Sequence, residues 1–422
     1  MTLDAPSVFL RGLFDTAVDV ADPMNCVPDA LPERPAGRVV VIGAGKASAR
    51  MAEAVEAAWG PQDGFVITRY GYARPTQQIE IVEAAHPVPD AAGAKATKHL
   101  SRLVSELGED DFVLALISGG GSALLVQPAA DITLDEKQAL TQDLLASGAP
   151  IGDINGIRKE LSAVKGGRLA ATAYPARMLT LMISDVPGDD PSDIASGPTV
   201  AHAGDAQRAL DCLKHWKVTP SDRIRAYLEA GGDPVAPGDV RLSRVENVVV
   251  AAPSQSLAAA RDQAEAAGCS VRILGDALEG EARDAAAEQA TLAMQVRDAL
   301  KPGDQPVVLL SGGEFTVTRN GDGVGGPNAE FSLALALALN GAAGIHAIAC
   351  DTDGVDGAAE VAGAIIGPDT LARAAAKGVD ATDALRRNDS HTFFAKMGDQ
   401  VVPGPTLTNV NDFRAILVLP PA

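Results

Sequence analysis

Aromatic side chains are scarce: two Trp, four Tyr and nine Phe make up 4% of 422 residues. The core must therefore come from Ala, Val, Leu and Ile, which a 46% hydrophobic content permits. Positive charge is also in short supply, with 35 Lys and Arg against 55 Asp and Glu and a formal net charge of −20. Such a surface repels nucleic acid and anionic membrane, so neither is expected as a partner. It repels anionic metabolites too, so an anion site needs local cations or backbone N–H groups. Cys26, Cys212, Cys269 and Cys350 stand singly, and no Cys-x-x-Cys occurs, which excludes a zinc ribbon or a paired redox centre. The six histidines lack ligand spacing. There is no basic-then-apolar leader and no bilayer-length apolar run, so a reducing cytoplasm is the expected location.

What is present is an alternation of short apolar runs and Ala-rich amphipathic segments. "RVVVIGAGKASARMAEAVEAAW" reads as strand, Gly turn and helix, and "DFVLALISGGGS" as a strand apolar throughout. The alternation predicts an α/β fold, with a parallel sheet covered by helices on both faces. A second βα series opens at "NVVVAAPSQS". The boundary falls near residue 240, giving expected domains of 1–240 and 241–422.

Two strands end in similar glycine turns, "SGGGS" (Ser118, Gly119, Gly120, Gly121, Ser122) and "SGGE" (Ser311, Gly312, Gly313, Glu314). Clustered glycines permit positive φ and let N–H groups approach a ligand, so both turns are candidate anion cradles. "GAGKAS" is neither a Walker A loop nor an intact dinucleotide fingerprint. Gly43 and Gly45 fit the latter, but Ser48 takes the third glycine position, and Arg69 stands where an acidic ribose ligand is expected. Lys46, placed at the first turn of a helix, opposes the macrodipole unless it and the helix N–H groups hold an anion.

Two acidic runs follow strands. "SDVPGDDPSDIASGPT" carries Asp185 and Asp189, and "CDTDGVDG" carries Asp351 and Asp353. The second lacks the closing Glu of an EF-hand, so magnesium suits these carboxylates better than calcium, and Asx turns are the competing explanation. In "INGIRKELSAVKGGRLA", read as a helix, Arg158, Ser162 and Lys165 share one face and could clamp a carboxylate or phosphate.

In order along the chain, "VIGAGKA", "HPVPD", "ISGGGSALL", "INGIRKELSAVKGGRLA", "SDVPGDDPSDIASGPT", "SGGE", "GGPNAEF", "DTDGVDG" and "GPTLTNVNDFRAIL" span nearly the full length. The ordered set resembles the glycerate 2-kinase family with a C-terminal MOFRL domain, some of whose members carry the label hydroxypyruvate reductase. The resemblance implies a Rossmann-like N-terminal domain, a MOFRL-type α/β domain and an active site in the cleft between them. It implies ATP, Mg²⁺ and D-glycerate as ligands, and 2-phosphoglycerate as product. It places Lys46 and Asp189 at catalytic positions. Nucleotide contacts are expected from Gly43, Gly45, Ser311, Gly312, Gly313, Glu314, Asn328, Glu330, Thr408 and Asn409. Substrate contacts are expected from residues 118–122 with Arg158, Ser162 and Lys165, and metal contacts from Asp185, Asp189, Asp351 and Asp353. The residues themselves leave open which Gly turn takes ATP and which takes glycerate. Where many members have Arg-Asn-Gln-Glu, this chain has Pro327, Asn328, Ala329 and Glu330, losing a cation. The oligomeric state is open, with a homodimer among the options. The rival readings are an NAD(P)H-dependent hydroxypyruvate reductase and a non-catalytic sugar-acid binding protein.

Overall fold

The computed structural model describes residues 5–357 and 359–421. Its contacts divide the chain into two units. The first comprises Cys26–Ser184 and Asp189–Val250. The second comprises the segment ending at Asn25, the short stretch Asp185–Gly188, and the chain from Ala251 onward.

The first unit carries six strands: β1 (Val39–Ala44), β2 (Asp63–Arg69), β3 (Glu80–Ala84), β4 (Phe112–Ser118), β5 (Arg177–Ile183) and β6 (Val245–Ala251). Their order is β3-β2-β1-β4-β5-β6, and β1 to β5 pair in parallel. Every residue of β1 and β4 is buried, as expected where helices cover both faces of a sheet. Tight βα turns then bring the carboxyl ends of β1 and β4 side by side, the position where open α/β sheets bind ligands.

The second unit carries β7 (Ser270–Gly275), β8 (Gly280–Glu281), β9 (Val307–Gly312), β10 (Phe315–Thr316), β11 (Ile345–Asp351), β12 (Gly363–Ile366), β13 (Gln400–Val401) and β14 (Asp412–Val418). Its sheet runs β13-β12-β11-β14-β9-β7 and is mixed: β7 and β9 are parallel, the other pairs antiparallel. β8 and β10 form a separate two-stranded ribbon. Alternation along β14 feeds two cores. Phe413, Ala415 and Leu417 face one, and Ile416 and Val418 face the other. The first of these cores is closed by the helix Pro6–Asp19, whose Phe9, Leu10, Leu13 and Phe14 are at most 1% exposed.

Two features differ from the sequence reading. "NVVVAA" does not open the second sheet; as β6 it closes the edge of the first, beside β5. The N-terminal helix groups with the second unit because its apolar stripe is covered by the helix Pro253–Ala266 and β14. The observed partition thus departs from the expected 1–240 and 241–422 both at the N-terminus and at Asp185–Gly188.

Candidate functional site

In the first unit the two glycine turns at the ends of β1 and β4 lock together. The Lys46 N–H donates to the Gly119 carbonyl (2.8 Å), and the Ala47 N–H to Ser118 Oγ (3.0 Å). Ser48 Oγ donates to the Leu116 carbonyl (2.9 Å). Gly45 has φ +149°, and a Cβ there would lie 2.0 Å from Ser118 Oγ and 2.6 Å from the Ser118 carbonyl oxygen, so no other residue fits. A Cβ on Gly120 (φ +79°) would meet the His86 ring and Lys46 Cγ at 3.1 Å, which sets those two side chains beside the turn. Lys46 itself precedes the helix Ser48–Trp59 rather than lying in its first turn, because residues 45–47 are spent on the contact with residues 118–119.

The segment read as one helix through Arg158, Ser162 and Lys165 is broken. The helix Ile151–Glu160 ends at Leu161, and a new helix begins at Arg168. Ser162 is the cause: its Oγ accepts the N–H groups of Val164 and Lys165 (both 3.3 Å), an alternative to the helical ladder. Gly166 (φ +57°) and Gly167 (φ +81°) complete the turn. The Ser162 hydroxyl thus organises the turn from within. The turn still brings Lys165 close enough to Arg158 for their charges to repel.

Around this turn gather Lys137, Arg158, Lys159, Lys165 and Arg168. Lys165 is 1% exposed, and its Nζ donates to the Ser122 carbonyl (2.8 Å), tying the cation to the glycine turn. Burial, followed by repulsion from Lys137, Arg158 and Lys159, holds its ammonium well below the ordinary lysine value. Lys137, from the helix Leu134–Ala146, donates to the Leu161 carbonyl (3.1 Å). Burial, then repulsion from Arg158 and Arg168, brings it down to about 7. Burial also lowers Arg158. The sequence does not mark Lys159 or Arg168, but Lys137 shares a helix face with buried Leu140 and Leu144, a polar intrusion that signals it.

The acidic loop after β5 folds against the same turn. Ser196 Oγ lies 2.7 Å from Ser122 Oγ, and the Ser196 carbonyl accepts the Gly166 N–H (3.1 Å). Asp189, Ala195 and Ser196 all hold positive φ, a concentration of backbone strain of the kind found at working sites. Asp189 Oδ1 is buried and has no hydrogen-bond partner among the described residues.

In the second unit the remaining predicted residues are mostly engaged by protein groups. Gly313 (φ +97°) crosses the 277–278 backbone so closely that a Cβ would lie 2.1 Å from the Leu278 nitrogen. The carbonyls of Gly312 and Gly313 accept from Arg414 (3.1 and 2.7 Å), which is fully buried over the Phe315 ring and paired with Asp412 (2.7 Å). Ser311 is buried, whereas Glu314 is exposed. Asn328 is buried and binds Asp412 Oδ1 through its amide (2.7 Å). Glu330 is buried against Arg283 (2.7 Å from Nε) and Asn388 (3.0 Å), so a cation reaches it from another helix. Burial raises its carboxyl. Thr408 Oγ1 donates to the Ala21 carbonyl (2.7 Å). Asn409 donates to Asp185 Oδ2 (2.9 Å), and Asn411 to the Asp185 carbonyl (3.2 Å). Asp356, a carboxylate of the second acidic run, accepts the N–H groups of Asn328 and Ala329 (2.9 Å each) and thereby caps the helix Pro327–Leu339.

The four carboxylates proposed for metal are not equivalent. Asp351 accepts the Asp353 N–H and Asp353 the Val355 N–H (both 2.8 Å), which are Asx turns. Asp185 is bound by Asn409. Among the described residues no three acidic, His or Cys side chains converge as a metal cage. Magnesium needs none, since it keeps waters and takes one or two carboxylates plus substrate phosphates. The orphaned Asp189 oxygen suits that role.

Comparison with known proteins finds relatives along nearly the whole chain. A family model described as a domain of unknown function (DUF4147) matches residues 9–229, and the MOFRL family model matches residues 307–412. The chain is 37% identical over 407 residues to the D-glycerate 2-kinase of Thermotoga maritima, covering 96% of each. It is 52% identical over 413 residues to a putative hydroxypyruvate reductase of Agrobacterium vitis, covering 97% of this chain and 94% of that one. A crystal structure of glycerate kinase from Thermotoga maritima superposes with a TM-score of 0.90 at 35% identity, covering 99% of this chain and all of the other. Fold and family matches therefore define an α/β protein that joins a DUF4147 unit to a MOFRL unit. The chain belongs to the glycerate 2-kinase family. Among its described residues no helix is long and apolar enough to cross a membrane.

Proposed function

We propose that the chain transfers the γ-phosphoryl group of ATP to O2 of D-glycerate, giving 2-phosphoglycerate. The observation that carries this reading is the meeting of cations with the glycine turn: buried Lys165 is hydrogen-bonded to Ser122, half-buried Arg158 is close by, and half-buried Lys46 lies beside Gly120. Phosphoryl transfer asks for charge neutralisation and alignment more than for covalent help. In a chain of net charge −20, cations placed at one turn are a specific provision for an anion.

In this reading Arg158 and Lys165 hold the glycerate carboxylate, and the turn at 118–122 shapes the space for its hydroxyls. Lys46 stabilises charge on the transferring phosphoryl group. Asp189 takes the proton from O2; its strained backbone and unpartnered oxygen keep it available. Mg²⁺ accompanying ATP would neutralise phosphate charge, with Asp189 the residue best fitted to face it. The reductase reading is weakened at the end of β2, where Arg69 stacks on Tyr72 (4.4 Å) in place of an acidic ribose ligand.

The test is direct. D-Glycerate with MgATP should yield ADP, and the product should feed enolase without added phosphoglycerate mutase. ADP without an enolase signal would mean the 3-phosphate. NADH consumption with hydroxypyruvate, and no ADP from glycerate, would reinstate the reductase.

A further inference from the structure

Five basic side chains surround the turn at residues 161–167, and among the described residues acids reach only two of them. Lys159 pairs with Asp193 (3.1 Å), and Arg168 with Glu160 (3.3 Å). Glu160 also lies 3.2 Å from His202 Nε2, so its charge is shared. Among the described residues Lys137 and Lys165 have only neutral partners, the carbonyls of Leu161 and Ser122. Arg158 makes no hydrogen bond or ion pair among the described residues. Lys137 and Lys165 are 6% and 1% exposed, so water does little to offset their charge. Withdrawing an ammonium from water costs several kcal/mol, and neighbouring like charges add to that. A cluster of this kind resolves itself either by shedding protons or by binding an anion.

We infer that Lys137, on a helix separate from Arg158 and Lys165, is the third cation of the anion pocket, and that an anion entering the pocket draws a proton onto the lysine pair. This rests on the reading that the pocket receives the substrate carboxylate. Both lysines titrate below their ordinary value when the pocket is empty, Lys137 at about 7, chiefly through burial. At pH 8 Lys137 is therefore largely neutral. A bound anion favours the ammonium forms, so the protons must come from solvent.

Calorimetric titration of the whole protein with D-glycerate, and separately with sulfate, at pH 8 in buffers of different ionisation enthalpy reads this uptake. Neither anion titrates near that pH. The expected result is uptake of roughly one proton per site in the native protein. Lys137→Met should weaken anion binding roughly tenfold to hundredfold. Lys137→Arg keeps the charge but has no proton to gain, so it should restore affinity while cutting proton uptake by at least about half. A purely structural lysine would not separate affinity from uptake in this way. If sulfate binds with uptake and glycerate does not bind, the pocket stands and the glycerate reading falls. Binding without proton uptake, undiminished uptake in Lys137→Arg, or failure of both anions to bind would each overturn the inference.

Discussion

Replacing Asp356 by Asn should reshape the pH dependence of stability in the second unit. The Asp356 carboxyl is 1% exposed and caps the helix Pro327–Leu339 through two backbone N–H groups. Burial raises it from 3.8 to about 7, even though the Asn328 and Ala329 N–H groups favour the charged form. In the unfolded chain the proton leaves near pH 4; in the folded protein it stays until about pH 7. The folded state thus binds more protons across this window, and stability must fall as pH rises through it. The raised value corresponds to about 4 kcal/mol between pH 4 and pH 8. Asn does not titrate, so its slope over the window should be smaller by that amount. Its amide offers only one acceptor for two N–H groups, a pH-independent loss of about 1–3 kcal/mol. The variant should therefore be the weaker protein at pH 4 and should equal or exceed the native one at pH 8. Both tryptophans, Trp59 and Trp216, lie in the first unit, so their fluorescence is the wrong probe. Hydrogen exchange of the peptide covering residues 327–339, compared across pH after correction for intrinsic rates, reads the right helix. Parallel stability curves for the two proteins, within about 1 kcal/mol, would refute the argument.

Three further outcomes are expected. Lys46→Ala should lower kcat on the order of a hundredfold or more while thermal unfolding is little changed; near-native turnover would remove Lys46 from the phosphoryl site. Asp189→Asn should lower kcat at saturating Mg²⁺ and raise the Mg²⁺ needed for half-maximal rate, whereas an unchanged Mg²⁺ titration would leave Asp189 without a metal role. Gly45→Ala should destabilise the first unit by about 2–5 kcal/mol, from the Ser118 clash and the positive φ. Adding Ser118→Gly should recover only part of this, because the Ser118 carbonyl stays 2.6 Å from the new Cβ; full recovery would contradict the geometry.

The α/β class was readable because apolar runs such as "VVVIGA" and "FVLALIS" are buried on both faces, as strands covered by helices on both sides must be. Which sheet a strand joins is a different matter. "NVVVAA" has the same character wherever it pairs, so β6 could not be placed by pattern. The apolar stripe of residues 9–17 announced a buried helix face without naming its cover, which comes from residues near 260 and 415. The helix reading of 151–170 failed at a single hydroxyl. Ser162 satisfies N–H groups that propensity assigns to the helix ladder, and only the finished turn shows this. The site was readable where glycine was unavoidable, as at Gly45 and Gly120. Lys137 and Arg414 were not singled out, although each is a lone cation within an apolar pattern. Their partners lie on distant segments, and a charge can be recognised as buried only when those segments are known.

The helix at residues 6–19 has a consequence for how the protein is made. It is synthesised well before its cover, since Phe14 packs against Phe413, and Ala21 is bonded to Thr408, 387 positions later. At ~5–20 residues per second, roughly 20–80 s separate the two ends of that contact. Throughout that interval the apolar stripe of Phe9, Leu10, Leu13 and Phe14 lacks the strand that covers it. The sheet of the second unit cannot be completed until its central strand, β14, has been synthesised. For this part of the molecule, therefore, the final fold waits on synthesis of β14, and until then the helix at residues 6–19 is a surface in need of shielding by a chaperone.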